Sequence, residues 1–196
     1  MQLLSRAIGP IATNVQILAD ERSREAIAID TAIPSLAWIS AELAARGWTL
    51  KLIVSTHGHW DHIGAVEQVR DAGIGVWVGA QDAAQLPGYD HVLEDDAVHH
   101  VGDLALRTIH TPGHTPGSFC FALEGAPILF SGDTLFPGGP GNTTFEGGDF
   151  ATIIKSIQGR LYRVYDDATI FWPGHGAQST IGLERPHLDE WVARGW

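Results

Sequence analysis

The chain's 196 residues, 44% hydrophobic and 18% charged, are enough for one domain with a real core and fit neither a fibrous nor a low-complexity protein. Twelve basic residues against 23 acidic ones give a net charge of −11, which repels phosphate backbones and argues against nucleic-acid partners. No apolar run reaches membrane-spanning length, Arg6, Asn14 and Gln16 interrupt the apolar core a secretory signal would need, and the single cysteine, Cys120, allows no internal disulfide.

These bounds predict one cytoplasmic domain over 1–196, a small-molecule substrate and no membrane partner, with the oligomeric state left open. In chain order, TNVQILAD (13–20) and EAIAID (25–30) alternate or run apolar around a polar turn and predict two strands. Pro34 to Trp48 predicts a helix, with Ala37, Ile39, Leu43 and Ala44 on one face and Gly47 near its stop. LKLIVSTH (50–57) reads as a buried strand, Ile63 to Asp71 as the next helix, GIGVWVGA (73–80) as another strand, and Gln81 to His100 as helix plus loop.

The second half is richer in strands: LALRTIHT (104–111), SFCFAL (118–123) and PILFSGD (127–133), punctuated by Gly and Pro. DFATIIKSIQGRLYRV (149–164) predicts an amphipathic helix capped by Asp149, with Ile153, Ile154, Ile157 and Leu161 on one face. ATIFWPGH (168–175) reads as the last strand and ERPHLDEWVARGW (184–196) as a short final helix. Strands and helices in both halves suit an α+β protein: two sheets face to face with helices outside.

The chemistry concentrates in STHGHWDHIGA (55–65), which holds three histidines and an aspartate within six residues. In extended chain, His57 and His59 point the same way, whereas Asp61 and His62 fall where the chain begins to coil. That geometry predicts two neighbouring metal sites rather than one. Further ligands are available at three strand-to-loop junctions: His114 in TPGHTPGS, Asp133 in FSGDTLF and His175 in WPGHG. A glycine beside each lets backbone and metal approach closely.

The set His57-x-His59-x-Asp61-His62, then His114, Asp133 and His175, resembles the metallo-β-lactamase fold superfamily. TPGHTPGS, FSGDTLF, PGHG and TIGLER (180–185) resemble its hydroxyacylglutathione hydrolase (glyoxalase II) branch. The resemblance covers about Thr13 to Arg185 and implies a four-layer αββα sandwich. It also implies His57, His59 and His114 on a first metal, Asp61, His62 and His175 on a second, and Asp133 bridging. Asp30 in AIDTA matches the family's aspartate that orients a ligand from behind.

A thiolate-free donor set places Zn²⁺ ahead of Fe²⁺ or Mn²⁺ as the two divalent ions. Two such ions share a bridging water and lower its pKa from about 15.7 towards about 7, so its hydroxide form can attack a polarised carbonyl. Asp61 and Asp133 are the catalytic candidates, Asp61 as orienter of the nucleophile. With no separate general acid near the ligands, the expected activity is that of a metal-dependent thioester or activated-ester hydrolase. An acyl-homoserine-type lactonase and a mononuclear-iron persulfide dioxygenase share the pattern as alternatives, and a non-catalytic scaffold ranks last.

Two departures bear on the substrate. Where the branch carries a basic residue in a Gly-x-Gly-[Lys/Arg] loop that binds glutathione carboxylate, this sequence reads Gly139-Pro140-Gly141-Asn142. The 21 residues after His175 imply a short form without the helical C-terminal domain of longer members. Phe136 and Phe145, flanking a loop expected to be mobile, read as pocket lining. Trp60 either walls the pocket or packs beneath the metal loop. His91, His99, His100 and His187 read as surface residues, His110 as structural, and Cys120 as a small core residue. Trp38, Trp77, Trp172 and Trp191 read as core or helix-packing residues.

Overall fold

Apolar side chains alternating along the strands require cover on both faces, and the architecture supplies it twice. The computed structural model describes residues 1–195. The first sheet runs in spatial order β1 (Gln2–Ile8), β2 (Thr13–Asp20), β3 (Glu25–Ile29), β4 (Thr49–Val54), β5 (Gly75–Val78), β6 (His91–Val92). It is antiparallel through β3 and parallel from β3 to β6. Between β3 and β6 come α1 (Ser35–Arg46), α2 (Trp60–Ile63) and α3 (Val66–Asp71).

The remaining strands are β7 (Val98–Val101), β8 (Leu104–His110), β9 (Phe119–Leu123), β10 (Ile128–Gly132), β11 (Leu135–Phe136), β12 (Gly139–Pro140), β13 (Ile170–Pro173) and β14 (Ser179–Thr180). All but β11 and β12 form a second sheet in the order β14-β13-β10-β9-β8-β7; β11 and β12 make a hairpin of their own. The later helices are α4 (Phe150–Ser156), continued by a π-helical turn to Tyr162, α5 (Ile181–Glu184) and α6 (Leu188–Arg194).

Strand periodicity sorts the core into three layers. Leu18, Ile27, Ile29, Leu52 and Val54 of the first sheet meet Leu106, Phe119, Phe121 and Phe130 of the second. The opposite face of the first sheet (Val15, Ile17, Ala28, Ile53) packs on Ile39, Val66 and Val69 of α1 and α3. The opposite face of the second (Ile109, Cys120, Leu129, Phe171) packs on Ile153, Ile157, Leu161 and Trp191. This is the four-layer αββα sandwich. It explains why every residue of β2 is buried: both of its faces are covered. No helix among the described residues is long and apolar enough to cross a membrane.

Several local expectations differ from the structure. β1 was not among the predicted strands; it pairs along β2 from Gln2 to Ile8. The predicted helix from Ile63 to Asp71 is two helices, because the Ala65 N–H donates to Thr31 O (2.8 Å) rather than up its own helix. Gln81 to His100 holds a single 3₁₀ turn (Ala83–Gln85), then β6 and the start of β7, short edge strands without an apolar period. β13 is not the last strand, since β14 pairs with it. The final helical stretch is broken around Pro186, and its last residue, Trp196, lies outside the described residues.

The strand ends position the site. Asp30 follows β3, His57 follows β4, Asp133 follows β10 and His175 follows β13, while His114 lies on the connection between β8 and β9. Gly174 N–H donates to Gly132 O (2.8 Å), Asn14 N–H to Gly174 O (2.7 Å) and Phe119 N–H to Thr56 O (2.7 Å), which ties both sheets together beneath it.

Candidate metal centre

The seven residues of the motifs meet at one end of the sandwich in two groups. In the first, His114 Nε2 lies 3.2 Å from His57 Nε2 and 2.9 Å from His59 Nδ1. In the second, His62 Nε2 lies 3.3 Å from His175 Nε2 and 3.1 Å from Asp61 Oδ2, which is 3.2 Å from His175 Nε2. Asp133 faces both: Oδ1 is 3.4 Å from His62 Nε2, and Oδ2 is 3.6 Å from both His114 Nε2 and His175 Nε2. The division follows the backbone, which is extended at His59 (ψ 144°) and helical from Trp60.

In three of the five rings the other nitrogen is engaged in a way that aims the cluster. His114 Nδ1 donates to Asn142 O (2.7 Å), His175 Nδ1 to Ile11 O (3.1 Å), and His62 Nδ1 to Asp30 Oδ2 (2.7 Å). With each ring in its neutral, metal-binding form, the donor bond leaves the Nε2 lone pair pointing into the cluster. Asp30 is 1% exposed and also accepts from the Thr56 N–H (2.7 Å) and hydroxyl (2.9 Å). Its φ of 61° is a left-handed conformation that aspartate and asparagine tolerate better than most residues.

These residues fit divalent metal. Facing lone pairs repel unless a cation or proton lies between them. A tetrahedral ion with bonds of about 2.0–2.1 Å would place neighbouring donors roughly 3.3 Å apart, near the separations within each group. Asp133 Oδ1 is a buried oxygen with no hydrogen-bond partner. Room for the cluster is protected at Gly174, where an added Cβ would fall 2.0 Å from Asp133 Oδ1 and 2.7 Å from His62 Cε1. Five imidazoles and two carboxylates suit Zn²⁺, Fe²⁺ or Mn²⁺.

The groups differ electrostatically. Burial, reinforced by neighbouring imidazoles, pushes His57 well below the ordinary histidine range, and burial also lowers His59 and His114. All three are therefore neutral near pH 7, the form that ligates metal. Burial works against protonation of His62, but Asp30 and Asp133 outweigh it and raise that ring well above its ordinary value. His175 is raised by Asp61 and Asp133 against the same opposition. Burial would raise Asp61, yet hydrogen bonds with His175 and His62 hold it far below the usual carboxylate range. Adding Zn²⁺ to metal-free protein at pH 7 in weak buffer is thus expected to acidify the solution as His62 gives up its proton. A titration that binds metal without releasing protons would contradict this.

Of the flanking candidates, Trp60 is 62% exposed and walls the cleft above the cluster rather than packing beneath it. Phe145 lines the same cleft, edge-on to His59 at 5.5 Å. Phe136 stacks on His175 at 6.4 Å and is not part of the cleft lining. Asn142 lines the cleft, while its Oδ1 accepts from the Thr144 N–H and hydroxyl at 2.8 Å. The loop expected to be mobile is laced by that turn, by the β11–β12 hairpin and by Gly141 N–H to Thr134 O (3.3 Å).

His110 holds Pro116 O (2.9 Å), and Cys120 is fully buried, its thiol pushed up to about 11 by burial. His91, His100 and His187 are exposed, whereas His99 is half-buried, edge-on to Trp77 at 4.6 Å. Trp191 is buried; Trp38, Trp77 and Trp172 are half-buried and pack against the core layers.

Three residues that shape the site were not among the candidates. The Thr13 hydroxyl donates to Asp61 Oδ2 (2.8 Å). Asn14 Nδ2 donates to Pro173 O and Gly176 O, both at 2.9 Å, which bracket His175. Asp82, fully buried, accepts from Gly58 N–H (2.8 Å), the Thr115 hydroxyl (2.6 Å) and Gly117 N–H (2.9 Å), binding together the two loops that carry the first group. The one sequence signal for Asp82 is an acid placed just beyond the apolar strand GVWVGA.

An αββα sandwich with a His/Asp cluster of this order at its strand ends defines a class, and comparison gives it a name. The sequence profile of the metallo-beta-lactamase superfamily matches residues 9–175, and the chain belongs to that superfamily, whose fold implies divalent metal at these clusters. It is 36% identical to hydroxyacylglutathione hydrolase GloC of Haemophilus influenzae over 156 residues, covering 69% of this chain and 73% of that one. The fold is similar to the crystal structure of the BLEG-1 B3 metallo-beta-lactamase (TM-score 0.88, 30% identity), covering 97% of this chain and 100% of that one. It is also similar to TTHA1623 in a di-iron-bound form (TM-score 0.79, 26% identity), covering 93% and 96%.

Proposed function

We propose that this protein is a dinuclear metal-dependent hydrolase of thioesters or activated esters. The observation that carries the reading is the pair of donor groups facing each other across Asp133 at the floor of a cleft of about 760 Å³, a volume typical of small-molecule sites. His57, His59 and His114 would hold one ion, Asp61, His62 and His175 the other, and Asp133 both. Divalent ions at such a site supply Lewis acidity and make water a nucleophile near neutral pH.

The protein's own residues set the rest. Asp61, fixed by Thr13, orients the attacking water, and Asp30 keeps the His62 lone pair directed inward. Among the described residues, Glu146 is the one acid lining the cleft besides Asp61 and Asp133, and it is exposed, so none of them supplies a buried general acid beyond the ligands themselves. This favours leaving groups that depart unprotonated. In thioester cleavage the acyl–sulfur bond breaks, water's oxygen joins the acyl carbon to give a carboxylate, and water's two protons go one to the departing thiolate and one to solvent. The likeness to GloC supports the reaction type, and the His/carboxylate donor set is the ground for proposing Zn²⁺ as the ion.

The test is metal analysis followed by S-lactoylglutathione, simple thioesters, lactones and a β-lactam, with oxygen uptake recorded. The expected result is about two metals per chain, with thioesters cleaved fastest and no oxygen consumed. One iron with oxygen uptake would replace this reading by a dioxygenase; exclusive lactone cleavage would replace it by a lactonase.

A further inference from the structure

A second cavity, of about 250 Å³, adjoins the cleft, and Trp60 and Asp61 line both. Its walls are Ile8 at the end of β1, Pro10 from the β1–β2 turn, Ala32 and Ile33 from the segment after β3, and Trp60. Ile33 is 53% and Trp60 62% exposed, so large apolar surface stands in water beside the cluster. An apolar hollow that opens onto a cleft is the kind of place where part of a small ligand is buried. The Thr13 hydroxyl, on the same wall, is already committed to Asp61.

Charge narrows what fits. Among the described residues, neither cavity is lined by a lysine or arginine, while Asp61, Asp133 and Glu146 line the cleft. The Asn142 amide oxygen is turned onto Thr144 and supplies no cation. An anionic arm such as a peptide carboxylate or phosphate finds no counter-charge in the lining, whereas a hydrocarbon arm finds apolar walls. At about 30 Å³ per small group, the share of a liquid water, the cavity holds about eight.

We propose that this cavity takes the apolar acyl chain of the substrate, about six to eight carbons long, with its carbonyl at the metal cluster. The proposal rests on the hydrolase reading above and names its substrate class: acyl thioesters or esters with a neutral aliphatic chain.

The test uses metal-loaded protein and thioesters of one neutral thiol with acetyl, butyryl, hexanoyl, octanoyl and dodecanoyl groups. kcat/KM is expected to rise about 2- to 3-fold per methylene up to octanoyl, below the full-burial value because the cavity is open, and then to level off. Ile33→Glu puts a charge on an exposed wall position. It should lower the octanoyl-to-acetyl ratio at least about 10-fold, and Ile33→Val should retain it. Octanamide, neutral and not a thioester, should bind the wild type and bind Ile33→Glu about 10-fold more weakly, a readout independent of turnover. A profile flat in chain length, faster cleavage of S-lactoylglutathione than of octanoyl thioester, or octanamide that fails to bind would overturn the proposal while leaving the hydrolase reading standing. Cleavage of neither these thioesters nor activated esters of the same acyl groups, at any length, would overturn both.

Discussion

Replacing Asp133 with alanine is expected to abolish dinuclear metal binding and lower kcat/KM on thioesters by about 10²- to 10³-fold while the fold survives. The activity figure follows from the several kcal/mol a divalent ion contributes to transition-state charge stabilisation, at about 1.36 kcal/mol per decade. Survival of the fold follows from the hydrogen bonding. Oδ1 is buried without a partner, and the side chain's neighbours are ring nitrogens of the cluster rather than backbone. Alanine therefore orphans no hydrogen-bonded donor, and the melting temperature in chelator should fall by less than it does in Asp30→Ala. Metal content, kinetics and a melting curve decide it together. Wild-type thioester turnover by Asp133→Ala would sink the dinuclear mechanism.

Asp30 presents the opposite balance, with large effects on both folding and metal. Asp30→Ala leaves the Thr56 N–H, the Thr56 hydroxyl and His62 Nδ1 without their acceptor in a site 1% exposed. Breaking a buried pair of this kind costs about 3–5 kcal/mol, or a fall of roughly 6–20 °C in melting temperature for a chain of this size. Asp30→Asn separates orientation from stability. Asparagine tolerates the left-handed backbone and can still accept from Thr56, but it turns an NH₂ towards His62 Nδ1. That ring must then take the other tautomer, with its proton on Nε2 and aimed at the metal cluster. Metal affinity is expected to fall about 10- to 100-fold with a much smaller loss of stability than in Asp30→Ala. Competition against a chelator measures the first and thermal melting the second. If Asp30→Asn bound metal as tightly as wild type, Asp30 would have no orienting role.

The two residues also differ in how they could be read from the chain. Asp133 announces itself in FSGDTLF, a carboxylate after an apolar strand and beside a glycine. Asp30, in AIDTA, stands out chiefly through the resemblance to a family. Neither sequence context reveals that Asp30 accepts three buried hydrogen bonds while Asp133 Oδ1 has no hydrogen-bond partner.

What the sequence by itself determined is what short-range physics encodes. The two-residue period of TNVQILAD and EAIAID set strands whose faces need separate cover, and the 3.6-residue period after Asp149 set a helix with one buried stripe. The change from extended to helical chain inside STHGHWDHIGA divided its ligand-type residues between two groups. Only the tertiary structure decided the rest, because the deciding contacts join distant residues. Thr13 reaches Asp61 across 48 positions, and Asn14 reaches the carbonyls beside His175 across 159 and 162. Asp82, in the stretch with no legible period, gains its role by accepting from Gly58, Thr115 and Gly117, up to 35 positions away. The break between α2 and α3 comes from a bond to Thr31 outside the helix. The apolar cavity beside Trp60 exists because the β1–β2 turn, the segment after β3 and α2 meet there, three pieces whose local sequences carry no sign of one another.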